Sequence, residues 1–169
     1  MKSTDLLIEA FGRIQTAVSS AVDGADALTL TYRADADANT IAWLVWHLAR
    51  VQDDHVAELA GREQIWTRDG WEQRFSLPFD PSATGYGQSS AEVAAVRVDA
   101  ELLGGYYDAV HVETLAYLRT LTDADLDDVI DRRWTPAVTR GVRLVSVIGD
   151  DLEHAGQAAF LRGLGERRR

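Results

Sequence analysis

The stretch of sequence that decides the fold is Asn39-Thr-Ile-Ala-Trp-Leu-Val-Trp-His47-Leu-Ala-Arg50. Asn39 is a favourable helix N-cap and Gly61 a favourable C-terminal stop, so the sequence predicts a helix over residues 40–60. Its purely apolar part, residues 41–46, is far shorter than the ~20 residues needed to cross a bilayer. We therefore expect a buried helix that places the imidazole of His47 among large apolar side chains.

Three further helices are predicted from apolar spacing and capping signals. Residues 4–22 carry apolar side chains at intervals of three and four, namely Leu7, Phe11, Ile14 and Val18. Ser89 followed by Glu92 is a capping-box pattern that opens a third helix over 89–121, and a fourth helix is predicted over 141–164. The sequence thus predicts an all-α four-helix bundle, with a long aromatic loop over residues 61–88 between the second and third helices.

Composition narrows the class of protein. A chain of 169 residues is the length of a single domain, here 1–169. It has no cysteine, which excludes disulfides, thiolate zinc ligands and a cysteine nucleophile. The net charge of −10 argues against a nucleic-acid partner, and we interpret the basic cluster at residues 167–169 as a terminal tail. No signal-peptide pattern or membrane span is visible, so we expect a cytoplasmic protein without a membrane partner.

Histidines and carboxylates carry the candidate chemistry. Asp150 and His154 are four residues apart, so they project from one face of the predicted fourth helix. A carboxylate oxygen and an imidazole nitrogen at that spacing can share one divalent ion. His47 needs a polar partner among its apolar neighbours, and a metal ion is one such partner. These three residues form the predicted metal site; a backbone carbonyl or a tyrosine hydroxyl is the alternative partner for His47.

Two motifs resemble those of the DinB-like superfamily. The stretch from Asn39 to Arg50 resembles the second helix of that family, where a metal-binding histidine lies. Asp150-Asp-Leu-Glu-His154-Ala-Gly-Gln157 resembles its fourth-helix motif, commonly His-x-x-x-His-x-Gly-Gln, with Asp150 replacing the first histidine. A carboxylate at that place recurs in the branch that includes the metal-binding domain of mycothiol-dependent maleylpyruvate isomerase.

The resemblance implies a fold, a cofactor and a chemistry. It implies an up-down-down-up bundle, one divalent ion (zinc or nickel) held by His47, Asp150 and His154, and a homodimer. It also implies an external low-molecular-weight thiol co-substrate, such as mycothiol. The leading hypothesis is a metalloenzyme that activates a thiol, or water, for transfer to or isomerisation of a small-molecule substrate. A metal-dependent thiol S-transferase or isomerase fits this description, and no catalytic residue beyond the metal ligands is identified.

Other functions stay open at this point. One alternative is a non-enzymatic, stress-associated metal-binding bundle, and another is a dimeric scaffold without metal. Two acid-x-x-His pairs, Asp108 with His111 and Asp151 with His154, also invite a ferritin-like di-iron carboxylate site. We expect His111 to be a core residue, with a role as an extra ligand or substrate contact as the alternative.

The sequence also leaves open which way Asp150 and His154 face and where the 61–88 segment packs. The apparent apolar stripe of the fourth helix lies nearly opposite Asp150 and His154, which predicts a solvated face for them unless a cleft, a loop or a second subunit covers it. That stripe consists of Leu144, Ile148, Leu152, Ala155 and Ala159. The 61–88 segment either lines a pocket mouth, with Arg68 or Arg74 holding a carboxylate, or plugs the end of the bundle.

Overall fold

The computed structural model describes residues 2–167, and within them four long helices carry the architecture. These are α1 (Ser3–Val22), α3 (Ile41–Ala60), α7 (Ala100–Leu118) and α8 (Arg140–Arg167). The shorter helices are α2 (Ala27–Leu30), α4 (Ile65–Arg68), α5 (Trp71–Phe75) and α6 (Ser90–Ala95). A 3₁₀ turn (Ala124–Asp127) and an antiparallel pair, β1 (Val129–Asp131) and β2 (Val138–Thr139), lie before α8. Arg168 and Arg169 of the predicted basic tail lie outside the described residues.

Contacts between the long helices confirm the all-α bundle and give its directions. α3 and α8 run antiparallel, since the start of α8 at Arg140 lies beside Leu59 at the end of α3. α1 and α8 run parallel, since Arg162 near the end of α8 donates to the carbonyl of Ser20. α7 lies antiparallel to α1 and parallel to α3. The resulting order is up-down-down-up.

The predicted third helix is broken in the structure. Instead of one helix over 89–121, α6 ends at Ala95 and α7 begins at Ala100. Asp99 is the reason, because its side chain accepts a hydrogen bond from the backbone N–H of Leu102 at 2.7 Å and caps a new helix. Ser89 and Glu92 form the expected capping box, but it opens only the short α6.

The start of α3 also differs by one residue from the prediction. The hydroxyl of Thr40, rather than Asn39, accepts from the N–H of Trp43 at 3.0 Å, so Thr40 is the N-cap. Gly61 ends the helix in the left-handed conformation, as predicted. The 61–88 segment is not structureless, because it contains α4 and α5.

The buried side of α8 overlaps the predicted stripe only in part, since Leu144 and Ala155 are buried and Ile148 is partly buried. Leu152 is 44% exposed, whereas Asp151 is fully buried. The buried set is Leu144, Val147, Asp151, Ala155, Ala158, Leu161 and Gly165. α8 packs against both α3 and α1, so its buried sector is wide and is rotated towards the flank that carries Asp150 and His154. In the described part of the chain, no helix is both long and apolar enough to cross a membrane.

Candidate metal centre

The candidate metal centre lies between α3 and α8. His47 from α3 and Asp150 and His154 from α8 each offer a ligand atom, and these atoms all lie within 4.8 Å of one another. His47 is buried, while Asp150 and His154 are partly buried. The antiparallel packing of the two helices produces this group, since it sets the middle of α3 against the middle of α8. Of the two orientations left open for Asp150 and His154, the structure shows the covered one, because α3 packs over part of that face.

His47 is held with one ring nitrogen available. Its Nδ1 lies 2.5 Å from the carbonyl oxygen of Thr84, which can only accept, so Nδ1 carries the proton and Nε2 is left as a metal ligand. The ring stacks on Trp43 at a centroid distance of 4.6 Å. Burial lowers the pKa of His47 below its ordinary value of 6.5, although the bond to Thr84 and the charge of Asp150 act in the opposite direction. The imidazole is thus kept neutral, as a metal ligand must be.

A glycine allows the loop to approach His47 closely. Gly85 has φ +99°, and a Cβ at this position would lie 2.6 Å from Nδ1 of His47 and 3.1 Å from the ring of Trp46. Trp43 holds the same segment from the other side, since its Nε1 donates to Oε1 of Gln88 at 2.7 Å. The loop end over residues 84–88 therefore fixes the orientation of the His47 ring.

The two α8 residues complete the centre. Nδ1 of His154 lies 3.2 Å from Oε1 of Gln157, which leaves Nε2 to face Asp150 Oδ1 at 3.7 Å. The His154 ring is 4.8 Å from the His47 ring, centroid to centroid. Oδ2 of Asp150 is buried and has no hydrogen-bond partner within the described residues. A buried carboxylate oxygen without a donor is costly unless a cation compensates it.

These observations fit a divalent ion. Two imidazole nitrogens and one carboxylate oxygen form a donor set that suits zinc, and also nickel or iron. Three protein ligands leave coordination positions for an incoming group, which is the arrangement of a catalytic rather than a structural site.

The other histidines are not part of this centre. His111 lies on α7, where its ring stacks on Tyr107 at 6.2 Å. Nδ1 of His55 accepts from Arg143 at 3.2 Å. Asp108, the acid partner in the first acid-x-x-His pair, is exposed and accepts a hydrogen bond from Gln15. Within residues 2–167 the two pairs are not brought together, so the di-iron arrangement is not assembled.

Two buried charges that the sequence analysis did not single out anchor the 61–88 segment. Asp53 accepts from the N–H groups of Ile65 at 3.0 Å and Trp66 at 2.9 Å, so it caps α4. Arg50, which is fully buried, donates to the carbonyl of Ala83 and lies 3.7 Å from Asp53. The only sequence signal was their spacing of three residues on a helix with few other charges.

The aromatic residues of the segment act as a plug. Trp66, Trp71 and Phe75 are buried and pack around the ring of Tyr106. Arg68 pairs with Asp69 and Glu113, and Arg74 lies over Trp71. Neither arginine is positioned at the metal centre; the part of the loop that contacts His47 is Thr84 and Gly85.

The fold and the site together define a helical bundle with a candidate His/Asp/His metal centre in its α3–α8 groove. The sequence profile of the DinB superfamily matches residues 10–158. The chain belongs to the DinB superfamily, as the two motifs indicated.

A solved structure supports the same assignment. The chain is similar to a protein from Enterococcus faecalis, whose crystal structure is described as that of the conserved protein of a locus. The two share 32% sequence identity and superpose with a TM-score of 0.89, over 96% of each chain. No functionally curated protein matches.

Proposed function

We propose that the protein binds one divalent ion, zinc or nickel, through His47, Asp150 and His154 and uses it to activate a small thiol or water. The observation that carries the proposal is the convergence of these three ligand atoms within 4.8 Å of one another. Membership of the DinB superfamily supports it. Transfer of a thiol to a small electrophile, or thiol-dependent isomerisation, is the proposed reaction class.

The side chains have separate tasks in this scheme. When bound, the ion lowers the pKa of an incoming thiol or water so that it is a nucleophile near neutral pH. His47 keeps its Nε2 aimed at the centre through Thr84, and His154 does so through Gln157. Asp150 supplies the negative charge that balances part of the ion's charge. The chain has no cysteine, so the sulfur must come from a co-substrate, for which mycothiol is the proposed example.

The first test is metal stoichiometry. We expect about one equivalent of zinc or nickel per chain in protein purified without a histidine tag, and its loss in His47→Ala and in His154→Ala. His111→Gln is the matched control, because it removes a half-buried histidine outside the centre and should retain the metal. Metal analysis by mass spectrometry, with far-UV circular dichroism to verify folding, decides the result. Full occupancy in either alanine variant contradicts the proposed ligands.

The second test separates an enzyme from a metal-binding bundle. Zinc-loaded protein is assayed with mycothiol or a simpler thiol against a panel of small electrophiles. We expect turnover that disappears in His154→Ala and persists in His111→Gln. Stoichiometric metal without turnover would instead favour the non-enzymatic alternative.

A further inference from the structure

A charged cavity lies at the start of α8, apart from the residues of the metal centre. It has a volume of about 420 Å³ and is lined by the end of α3, by β1 and the residues after it, and by the first turns of α8. Its charged lining consists of Glu58, Asp131, Arg132, Arg133, Arg140 and Arg143. Four of the 17 basic residues of this acidic protein are therefore gathered around one cavity.

The four arginines differ in how many of their hydrogen-bond donors are already used within the protein. All three nitrogens of the Arg140 guanidinium group donate hydrogen bonds within the protein. They donate to the carbonyls of Leu59 and Asp125, to Tyr117 and to Asp128. Arg133 is bound side-on to Asp131.

Arg132 and Arg143 retain free donors. Arg132 makes no hydrogen bond or ion pair within the described part of the chain. Arg143 uses Nη1 for His55 and Glu58, while its Nη2 lies 3.9 Å from Asp131, beyond hydrogen-bond distance. The side chain of Arg143 is only 16% exposed and lines the cavity, so its free donors are partly desolvated.

The balance of charge selects the kind of anion. Four guanidinium groups face three carboxylates, namely Glu58, Asp131 and the Asp128 that pairs with Arg140. One positive charge is left over, which matches a singly charged anion better than a dianion such as phosphate. A carboxylate also matches the planar fork of a guanidinium group, which binds it with two parallel hydrogen bonds.

The cavity is within reach of the metal centre. Arg143 precedes Asp150 by seven residues on α8, which corresponds to about 10 Å of helix rise. Arg143 contacts His55 and Glu58 of α3, so it lies on the flank of α8 that faces α3. Asp150 and His154 lie on the same flank. The cavity and the metal centre thus lie on one flank of α8, about two helical turns apart.

We propose that this arginine-lined cavity binds the carboxylate of a small organic acid whose other end reaches the metal centre. The assignment of that acid as substrate or co-substrate rests on the proposed function. Carboxylate binding itself does not, because it requires only Arg132, Arg143 and their neighbours. The experiment is therefore carried out without metal, so that its failure and the failure of the metal proposal are distinguishable.

The test is a titration of the full chain, labelled with ¹⁵N and held in EDTA, with sodium butyrate. We expect saturable shifts of the Nε–H resonances of Arg132 and Arg143, and no such shifts with the neutral analogue butyramide. Arg143→Gln and Arg132→Gln should each weaken butyrate binding about tenfold, the loss typical of a hydrogen bond to a charged group. Arg13→Gln, an exposed arginine on α1 paired with Glu9, is the control and should bind butyrate unchanged.

The remaining outcomes are equally decisive. If Arg143→Gln fails to fold, Arg132→Gln carries the test alone, because Arg132 has no partner among residues 2–167 to lose. Absence of saturation, or equal shifts with butyramide, overturns the proposal. Tighter binding of inorganic phosphate than of butyrate overturns the assignment of a carboxylate. Loss of metal in the His47 and His154 variants leaves this result unaffected, since no metal is present.

Discussion

At the scale of single residues, the orientation of one imidazole depends on a glycine far from it in sequence. Gly85 has a positive φ and lies against His47, so the loop carbonyl of Thr84 can reach Nδ1. Any side chain at residue 85 would be strained by its backbone and would also collide with the His47 ring. The bond that orients a metal-ligating histidine contributes strongly to metal affinity.

We predict that Gly85→Ala weakens zinc affinity by roughly 10- to 100-fold, because the loop must move and release the Nδ1 hydrogen bond. Gly87→Ala is the matched control. It also imposes a positive φ on alanine, at +72°, but its Cβ meets nothing within 4 Å. Calorimetric titration with zinc compares both variants with the unmodified protein. Equal affinities in the two variants would mean that backbone strain alone, and not contact with His47, causes the effect.

At the scale of elements, the α4–α5 segment is attached to the bundle by Asp53. This buried carboxylate caps α4 through two backbone N–H groups and accepts a third hydrogen bond from the hydroxyl of Tyr106 at 2.9 Å. It also lies beside the buried guanidinium of Arg50. Removal of one member of a buried, hydrogen-bonded ion pair leaves the other charge uncompensated.

Asp53→Ala should accordingly lower the free energy of unfolding by about 3–5 kcal/mol. It should also expose residues 61–88 to proteolysis, since α4 loses its cap. Asp54→Ala is the control at the neighbouring position, because it removes a single side-chain hydrogen bond from Gln64 of the same segment. Its side chain is 40% exposed, so the loss should be about 1 kcal/mol or less. Urea denaturation and limited trypsin digestion measure the two effects. A loss for Asp53→Ala no greater than for Asp54→Ala would show that Asp53 does not anchor the segment.

At the scale of the whole molecule, the histidines connect stability to pH. Burial lowers the pKa of His47, His55 and His111 below 6.5. A histidine with a lowered folded pKa binds its proton more readily in the unfolded chain, so its contribution to stability is present above pH 6.5 and is lost as pH falls through the folded pKa. The homodimer implied by the resemblance stays a prediction at this scale.

We therefore predict that these three histidines lower the stability of the metal-free protein as pH falls from 7.5 to 5.5, a loss opposed by the buried carboxyls of Asp53 and Asp151, whose raised pKa acts in the other direction. The loss should be smaller in His111→Gln, which removes one of the three contributions. Urea denaturation in EDTA at pH 7.5, 6.5 and 5.5 measures the free energy of unfolding. Identical pH profiles for the two proteins would contradict a lowered pKa for the half-buried His111.

Metal binding should add to this stability by mass action. At a free zinc concentration about 1,000 times Kd, the gain is ~4 kcal/mol. For a chain of this size that corresponds to a rise in Tm of roughly 8–16 °C. The increment should disappear in His154→Ala and shrink towards pH 5.5, where protons compete for the imidazoles. Differential scanning calorimetry with and without zinc provides the measurement; a rise in Tm that persists in His154→Ala would place the ion elsewhere.

Much of this protein was determined by sequence patterns that act locally. The helix of residues 41–60, its glycine stop and the pairing of Asp150 with His154 follow from capping and from a period of 3.6 residues, which neighbouring residues fix by themselves. The DinB motifs, carried by the same residues, correctly indicated the family. The three residues that they predict as metal ligands lie together in the structure, and their role as ligands stays a prediction. The break before Asp99 also has a local cause, because Asp99 is the N-cap of α7. It was not predicted, since the helical pattern of the sequence continues on both sides of Asp99.

Tertiary structure alone decided which face of α8 is buried and what holds His47. A helical wheel considers one helix in isolation, whereas α8 packs against two neighbouring helices. In the bundle Asp151 is buried and the flank that carries Asp150 and His154 is partly covered. The approach of Thr84 and Gly85 to His47 depends on the closure of the 61–88 segment onto Arg50 and Asp53. Contacts between residues so far apart in the chain leave no periodic signal in the sequence, because they arise only when separate helices pack together.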